Sequence, residues 1–278
     1  LVLFAFVLLS GWGGPYVTMV VSDIGSVFFS TMASAAAGYA AYRARGPRRH
    51  SWIAMAIGLL GWAVGDLIWG YYDLILRIDP PVPSIADIAY FLFPISVCVA
   101  WTSQVRAGRL DSLRPLLDGV IIAAALFLVS WVTVLHDLFE DGRTSTVELV
   151  VAAAYPISDV VIITMAVLVA AAAPAGHRRI VGLVAAGLTV IALADSTWLY
   201  LQAQGAQANQ SMVVGWATGA VMIAAAAVLA SRTPGIVPTT ERPPSKLHLL
   251  LPYIPLPFAV IAGMVYLWPI TRAGPVLV

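Results

Sequence analysis

Residues 56–71 read AIGLLGWAVGDLIWGY, and 129 positions further on residues 185–200 read AAGLTVIALADSTWLY. Seven of the 16 positions are identical: Ala, Gly, Leu, Ala, Asp, Trp and Tyr. In a chain rich in Ala, Leu and Gly one or two matches are background, but a shared Asp, Trp and Tyr are not. Each stretch is long and apolar, yet keeps one carboxylate inside it. That combination asks for helices in lipid with a polar interior.

The rest of the chain agrees. Of 278 residues, 60% are hydrophobic and 10% charged, far from the roughly 25% charge of a soluble domain. Apolar stretches run at 1–14, 16–42, 51–77, 84–106, 112–138, 147–173, 179–203, 211–231 and 248–269. Crossing about 30 Å of hydrocarbon takes about 20 helical residues, and each of these stretches reads as a span, the first (1–14) as one cut short. None alternates in the manner of an outer-membrane strand. The expected fold is all-α: a polytopic transmembrane helical bundle of about nine spans. The bilayer is its first partner, and a multi-pass place in the cell's plasma (inner) membrane follows.

Loop charge orients it, because Lys and Arg stay on the cytoplasmic side. Placing the loop after the second span inside puts twelve cations there, among them Arg43, Arg48, Arg49, Arg178, Arg179 and Arg232, and leaves only Arg77, Arg143 and Arg272 outside. The outer loops hold Asp79, Asp87, Asp137, Glu140, Asp141 and Glu148, with a turn stiffened by Pro80, Pro81 and Pro83.

The flanks extend the repeat. A span carrying Ser22-Asp23, then Ser158-Asp159, precedes each copy, followed by short basic loops, Gly46-Pro47-Arg48-Arg49-His50 and Gly176-His177-Arg178-Arg179. The unit is about four helices, and an even number makes the copies parallel. The expected divisions are a first membrane repeat at 1–110, a second at 111–231, a Pro-rich cytoplasmic connector at 232–247, and a last helix or helix pair at 248–278. The sequence starts without Met and stops as a new apolar run begins at Gly274, which reads as a piece of a longer protein.

Four acids lie inside spans: Asp23, Asp66, Asp159 and Asp195. A carboxylate in hydrocarbon costs roughly 2.5–3.5 kcal/mol on insertion scales, so these should face the bundle interior, a partner or water. Trp62, Asp66, Trp69 and Asp73 share one helix face, and Ile191, Asp195, Trp198 and Gln202 repeat that spacing. Tyr71, Tyr72 and Tyr200 lie slightly further out. One reading is an outward-opening pocket between the repeats, with Asp66, Trp69, Asp195, Trp198, Tyr71, Tyr200, Asp159 and Asp23 binding a small ligand or responding to protons. Carboxylates beside aromatic rings favour cations. The other reading is that Asp66 and Asp195 hydrogen-bond to Ser, Thr, Trp or Tyr on neighbouring helices and hold them in register.

Other features carry less. Gly61 with Gly65, and Gly215 with Gly219, fit close helix packing. Pro94 and Pro156 fall within spans, Cys98 sits in an apolar run as a packing residue, and His136 beside Asp137 is the one His near the expected pocket. There is no Walker loop, dinucleotide fingerprint, HExxH or nucleophile elbow. No cofactor, metal or catalytic residue is therefore assigned within residues 1–278, and a net charge of +1 gives no case for nucleic acid.

The stretch GWAVGDLIWGYYDLILRIDPPVPSIADIAYFLFP at 61–94, with its Gly-Asp-x-x-Trp, proline-rich turn and Ala-Asp-x-x-Tyr, resembles the N-terminal membrane region of actinobacterial cyclic di-GMP signalling proteins. Leu250-Leu251-Pro252-Tyr253 resembles the segment that opens their last helical pair. The likeness covers roughly 51–260. It implies a sensory and anchoring module ahead of a cytoplasmic cyclase or phosphodiesterase domain, with homodimerisation through that domain. Any enzyme activity would then lie beyond residue 278. A small-solute or proton-coupled transporter is the competing expectation, and an integral membrane enzyme ranks below both.

Overall fold

The structure is a computed structural model that describes residues 1–78, 80–81, 83–105, 113–132, 146–173, 176–203, 210–233 and, nearer the C-terminus, 256–257, 259–261 and 264. Among the described residues every regular element is helical: α1 (Val2–Ser10), α2 (Gly14–Arg43), α3 (Pro47–Gly70), α4 (Ile85–Val105), α5 (Leu113–Ser130), α6 (Thr146–Ala172), α7 (Arg178–Ala203) and α8 (Gln210–Arg232). A π-helical turn, Tyr71–Leu76, continues α3.

Local sequence sets the boundaries. The tight connection from α2 to α3 passes through Gly46 at φ 59°, ψ −144°, a conformation that a Cβ forbids, and Pro47 then starts α3 with its φ already fixed. The stretch at 1–14 gives only a nine-residue helix, α1. At 1.5 Å per residue that is about 14 Å of helix. Its apolar run continues through Gly11, Gly13 and Gly14, all of positive φ, and they end the helix where hydropathy alone does not.

Five helical stretches among the described residues are long and apolar enough to span a bilayer: Gly14–Arg43, Pro47–Leu76, Thr146–Ala170, Arg178–Leu201 and Gln210–Arg232. Two shorter apolar helices, Ile85–Trp101 and Gly119–Val129, accompany them. Among the described residues the fold is thus all-helical and suited to a bilayer. The 234–247 part of the connector and most of the stretch at 248–269 lie outside the described residues, as do His136, Asp137 and Leu250–Tyr253.

Six helices close a circuit. α2 packs on α3, α3 on α4, α4 on α6, α6 on α7, α7 on α8, and α8 returns to α2. α1 lies against α2 and α8, and α5 against α6. Small residues allow the close approach. The buried face of α2 includes Ser22, Gly25, Ser30, Ala33, Ala37 and Ala40 at helical spacing, with Phe29 as its one large member, and that of α8 includes Gly219, Ala220, Ala224 and Ala227. Without a hydrophobic drive between helices in lipid, such close packing supplies much of the association energy. The outward faces are large and apolar: Ile53, Ile57, Leu60, Val64 and Leu67 form one exposed stripe along α3. Lipid is the solvent that suits such a stripe.

Gly187 and Gly219 mark the tightest point between α7 and α8. A Cβ on Gly219 would sit 2.7 Å from the Gly187 carbonyl oxygen and 2.5 Å from Ile191 Cγ1, whereas one on Gly182 meets nothing within 4 Å. Gly219→Ala should therefore destabilise the bundle by about 1–3 kcal/mol, while Gly182→Ala leaves it unchanged or raises it by up to about 1 kcal/mol. Unfolding in detergent measures both; equal effects would contradict the packing described.

Candidate functional site

Asp66 lies one turn before the end of α3 and is only 9% exposed. Its carboxyl joins three helices: Ser30 Oγ of α2 donates to Oδ2 at 2.9 Å, and the Tyr90 hydroxyl of α4 donates to Oδ1 at 3.2 Å. Close contact makes this possible, since a Cβ on Gly65 would meet the Tyr90 ring at 2.5 Å. Asp195 of α7 is held differently, with Trp216 Nε1 of α8 donating to Oδ1 at 2.7 Å. Each carboxylate is thus fastened by its own neighbours, the arrangement expected of acids that keep helices in register.

The other two span acids are less provided for. Asp159 of α6 is 7% exposed, its Oδ2 has no hydrogen-bond partner, and it faces the charge of Asp195. Asp23 of α2 is half-buried beside Gly70, with Oδ2 unpartnered and Asp73 as its electrostatic neighbour. Among the described residues no group of three His, Cys, Asp or Glu side chains is placed to hold a metal ion.

Two contacts tie α3 to the start and end of α7, each between residues 129 apart. Trp69 and Trp198 meet edge to face with ring centroids 6.4 Å apart. At the basic end Arg48 Nη1 lies 3.1 Å from His177 Nε2. Arginine only donates, so this nitrogen of His177 accepts and the ring is neutral. Burial, and then the Arg48 charge, hold His177 below the usual histidine range. Tyr71 and Tyr200 are exposed, at 52% and 46%.

A cleft of about 480 Å³ opens beside the π turn, lined by Tyr72, Pro81, Pro83, Asp87, Phe91 and Val151 among others. It lies between α4 and α6, where the Tyr155 hydroxyl donates to Asp87 Oδ1. Asp87 also closes an N-terminal cap on α4: its Oδ2 accepts from the Ser84 N–H at 2.6 Å while Ser84 Oγ accepts from Ala86 N–H at 3.2 Å. Tyr155 lies within electrostatic reach of Asp159 and Asp195 as well as Asp87.

The structure therefore brings Trp69 to Trp198, puts Asp159 within electrostatic reach of Asp195, and gives Asp66 and Asp195 separate hydrogen-bond partners. Sequence reasoning passed over Ser30, Tyr90, Tyr155, Asp87 and Trp216. Tyr90 and Asp87 had a signal in the Ala-Asp-x-x-Tyr motif. Trp216 sits inside the Gly215–Gly219 pair, and nothing local pairs it with Asp195.

Trp216→Phe removes the hydrogen-bond donor of Asp195 and should cost about 1–3 kcal/mol. Tyr90→Phe leaves Ser30 in place on Asp66 and should cost only about 0.5–1.5 kcal/mol. Denaturant unfolding gives both, and a larger loss at Tyr90 would contradict the assignment.

His177 supplies a pH signature. Its neutral form is favoured in the folded chain, so its contribution to stability is present above the unfolded value of 6.5 and lost as the pH falls from there through the lower folded value. His177→Gln should flatten the stability profile between about pH 7 and pH 5; an unchanged profile in thermal melts would show that this contact does not matter.

No family model, curated protein or solved structure matches the chain significantly.

Proposed function

We propose that the chain is a membrane-embedded sensory and anchoring module. In this reading residues 1–110 and 111–231 are two parallel copies of a four-helix unit, about nine spans complete the bundle, and the basic ends face the cytoplasm of a cell's plasma membrane. A small ligand, with cations favoured, or a proton acts on the acids of the outer half: Asp66, Asp195, Asp159 and Asp23, beside Trp69, Trp198, Tyr71 and Tyr200. The last helices pass the change to a cytoplasmic output domain beyond residue 278 that turns over cyclic di-GMP.

One observation carries it: carboxyls of the bundle are the fasteners between helices. Asp66 links α2, α3 and α4, Asp195 links α7 and α8, and Asp87 links α4 to α6. An occupant that engages these oxygens competes with the hydrogen bonds that set helix packing. It thereby has different affinity for two packings, which is the requirement for any ligand-driven switch. The repeat interval of 129 between touching pairs, Trp69 with Trp198 and Arg48 with His177, supports two copies facing each other about an axis along the membrane normal.

The test uses the uncut gene product in membranes. Asp66→Asn and Asp195→Asn should each change cyclic di-GMP turnover several-fold while the helical signal and detergent stability persist. Wild-type output from both variants overturns the sensor reading. Solute uptake into proteoliposomes that Asp66→Asn abolishes would establish transport in its place.

A further inference from the structure

The two copies are not chemically equal. In the first, Ser30 of α2 stands beside Asp66 of α3, 36 residues later in the chain, and donates to it. In the second, the position 129 residues after Ser30 is Asp159, and the position 129 after Asp66 is Asp195. The interval of 36 is kept, but a hydroxyl donor has become a second acid. Tyr90 on the next helix donates to Asp66, and Trp216 on the next helix donates to Asp195. The first acid, Asp66, has a donor on each oxygen. In the second copy Asp159 Oδ2 is buried with no partner and faces another carboxyl.

Two carboxylates within electrostatic reach of each other, one of them with a buried oxygen that no donor meets, cannot both be ionised at low cost without a compensating positive charge. Among the described residues none is supplied. α7 presents Asp195, α6 itself presents Tyr155 one turn before Asp159, and α4 presents Asp87 on the far side of Tyr155. Every titratable group facing the pair is acidic, and the one hydrogen-bond donor fixed on it, Trp216, is neutral.

We infer that Asp159 and Asp195 form a proton-binding site, with one of the two carboxyls protonated, and that this second-copy pair is where the module takes up a proton. The inference rests on the sensory reading and gives it a chemical species. Asp87 lines the outer cleft and accepts from Tyr155, which lies within electrostatic reach of both members of the pair, so the cleft is the nearest opening on this side of the site. Asp66, by contrast, has a donor on each oxygen.

The decisive variant rebuilds the first copy in the second: Asp159→Ser gives Asp195 a hydroxyl neighbour as Ser30 gives Asp66. The full chain in lipid nanodiscs is studied without any output domain. Infrared difference spectra between acid and alkaline buffer should show a protonated carboxyl of a dry environment in the wild type, and that band should be lost in Asp159→Ser. Removing the last proton leaves two negative charges in one site, so the wild-type Tm should fall more steeply with rising pH than that of the variant. Asp159→Asn, which keeps the size of the side chain, should behave as Asp159→Ser does and covers the case in which the serine variant fails to fold. A titrating band and pH slope unchanged in both variants overturn the site. A sodium-dependent Tm shift at fixed pH that both variants abolish overturns the proton in favour of an alkali ion. If the pair titrates as stated but the output of the full gene product ignores pH, the sensory reading fails and the proton site stands.

Discussion

A carboxyl group inside a bilayer must be satisfied by protein. Water is absent, the desolvation cost is several kcal/mol, and the only donors within reach belong to neighbouring helices. In this chain that constraint makes the acids cross-helix ties. Asp66 draws in a serine and a tyrosine from both adjacent helices, Asp195 takes an indole N–H, and Asp87 caps its own helix while reaching across to Tyr155. Remove the carboxyls and the small-residue interfaces would still pack, but their register along the membrane normal would lose its polar markers.

The same ties depend on close packing. Glycines at 58, 61 and 65 let α4 approach α3 until Tyr90 reaches Asp66, and Gly187 with Gly219 bring α8 onto α7 near Trp216. Small residues therefore act twice: they supply dispersion contacts in a solvent that offers no hydrophobic drive, and they bring a donor within hydrogen-bonding distance of a buried acid. Large apolar side chains also cover the outside, where stripes such as Ile53 to Leu67 suit acyl chains.

Much of this was legible in the sequence, for physical reasons. Helix class follows from apolar length. The interior side of α3 follows from the spacing of Trp62, Asp66 and Trp69, because 3.6-residue periodicity fixes which residues share a face. The offset of 129 picked out Trp69 and Trp198, and these do touch. What could not be read was partnership across helices. Periodicity says that Asp66 points inward but not that Ser30, 36 residues earlier, will meet it. Nor does it separate an acid with two donors from Asp159, which has an unpartnered oxygen. The extent of α1 escaped for a local reason, since hydropathy does not register the positive-φ glycines that stop it.

The closed circuit of helices has a consequence for how the molecule is made. The serine and alanine face of α2 is covered in part by α8, which leaves the ribosome only when residues 210–232 have been synthesised. Throughout the intervening elongation α2 sits in the insertion machinery or in lipid with that polar-flecked side unclosed. Assembly must then end with a docking step between the two ends of the circuit, so a chaperone, or a pause in translation, would have most influence at that late moment.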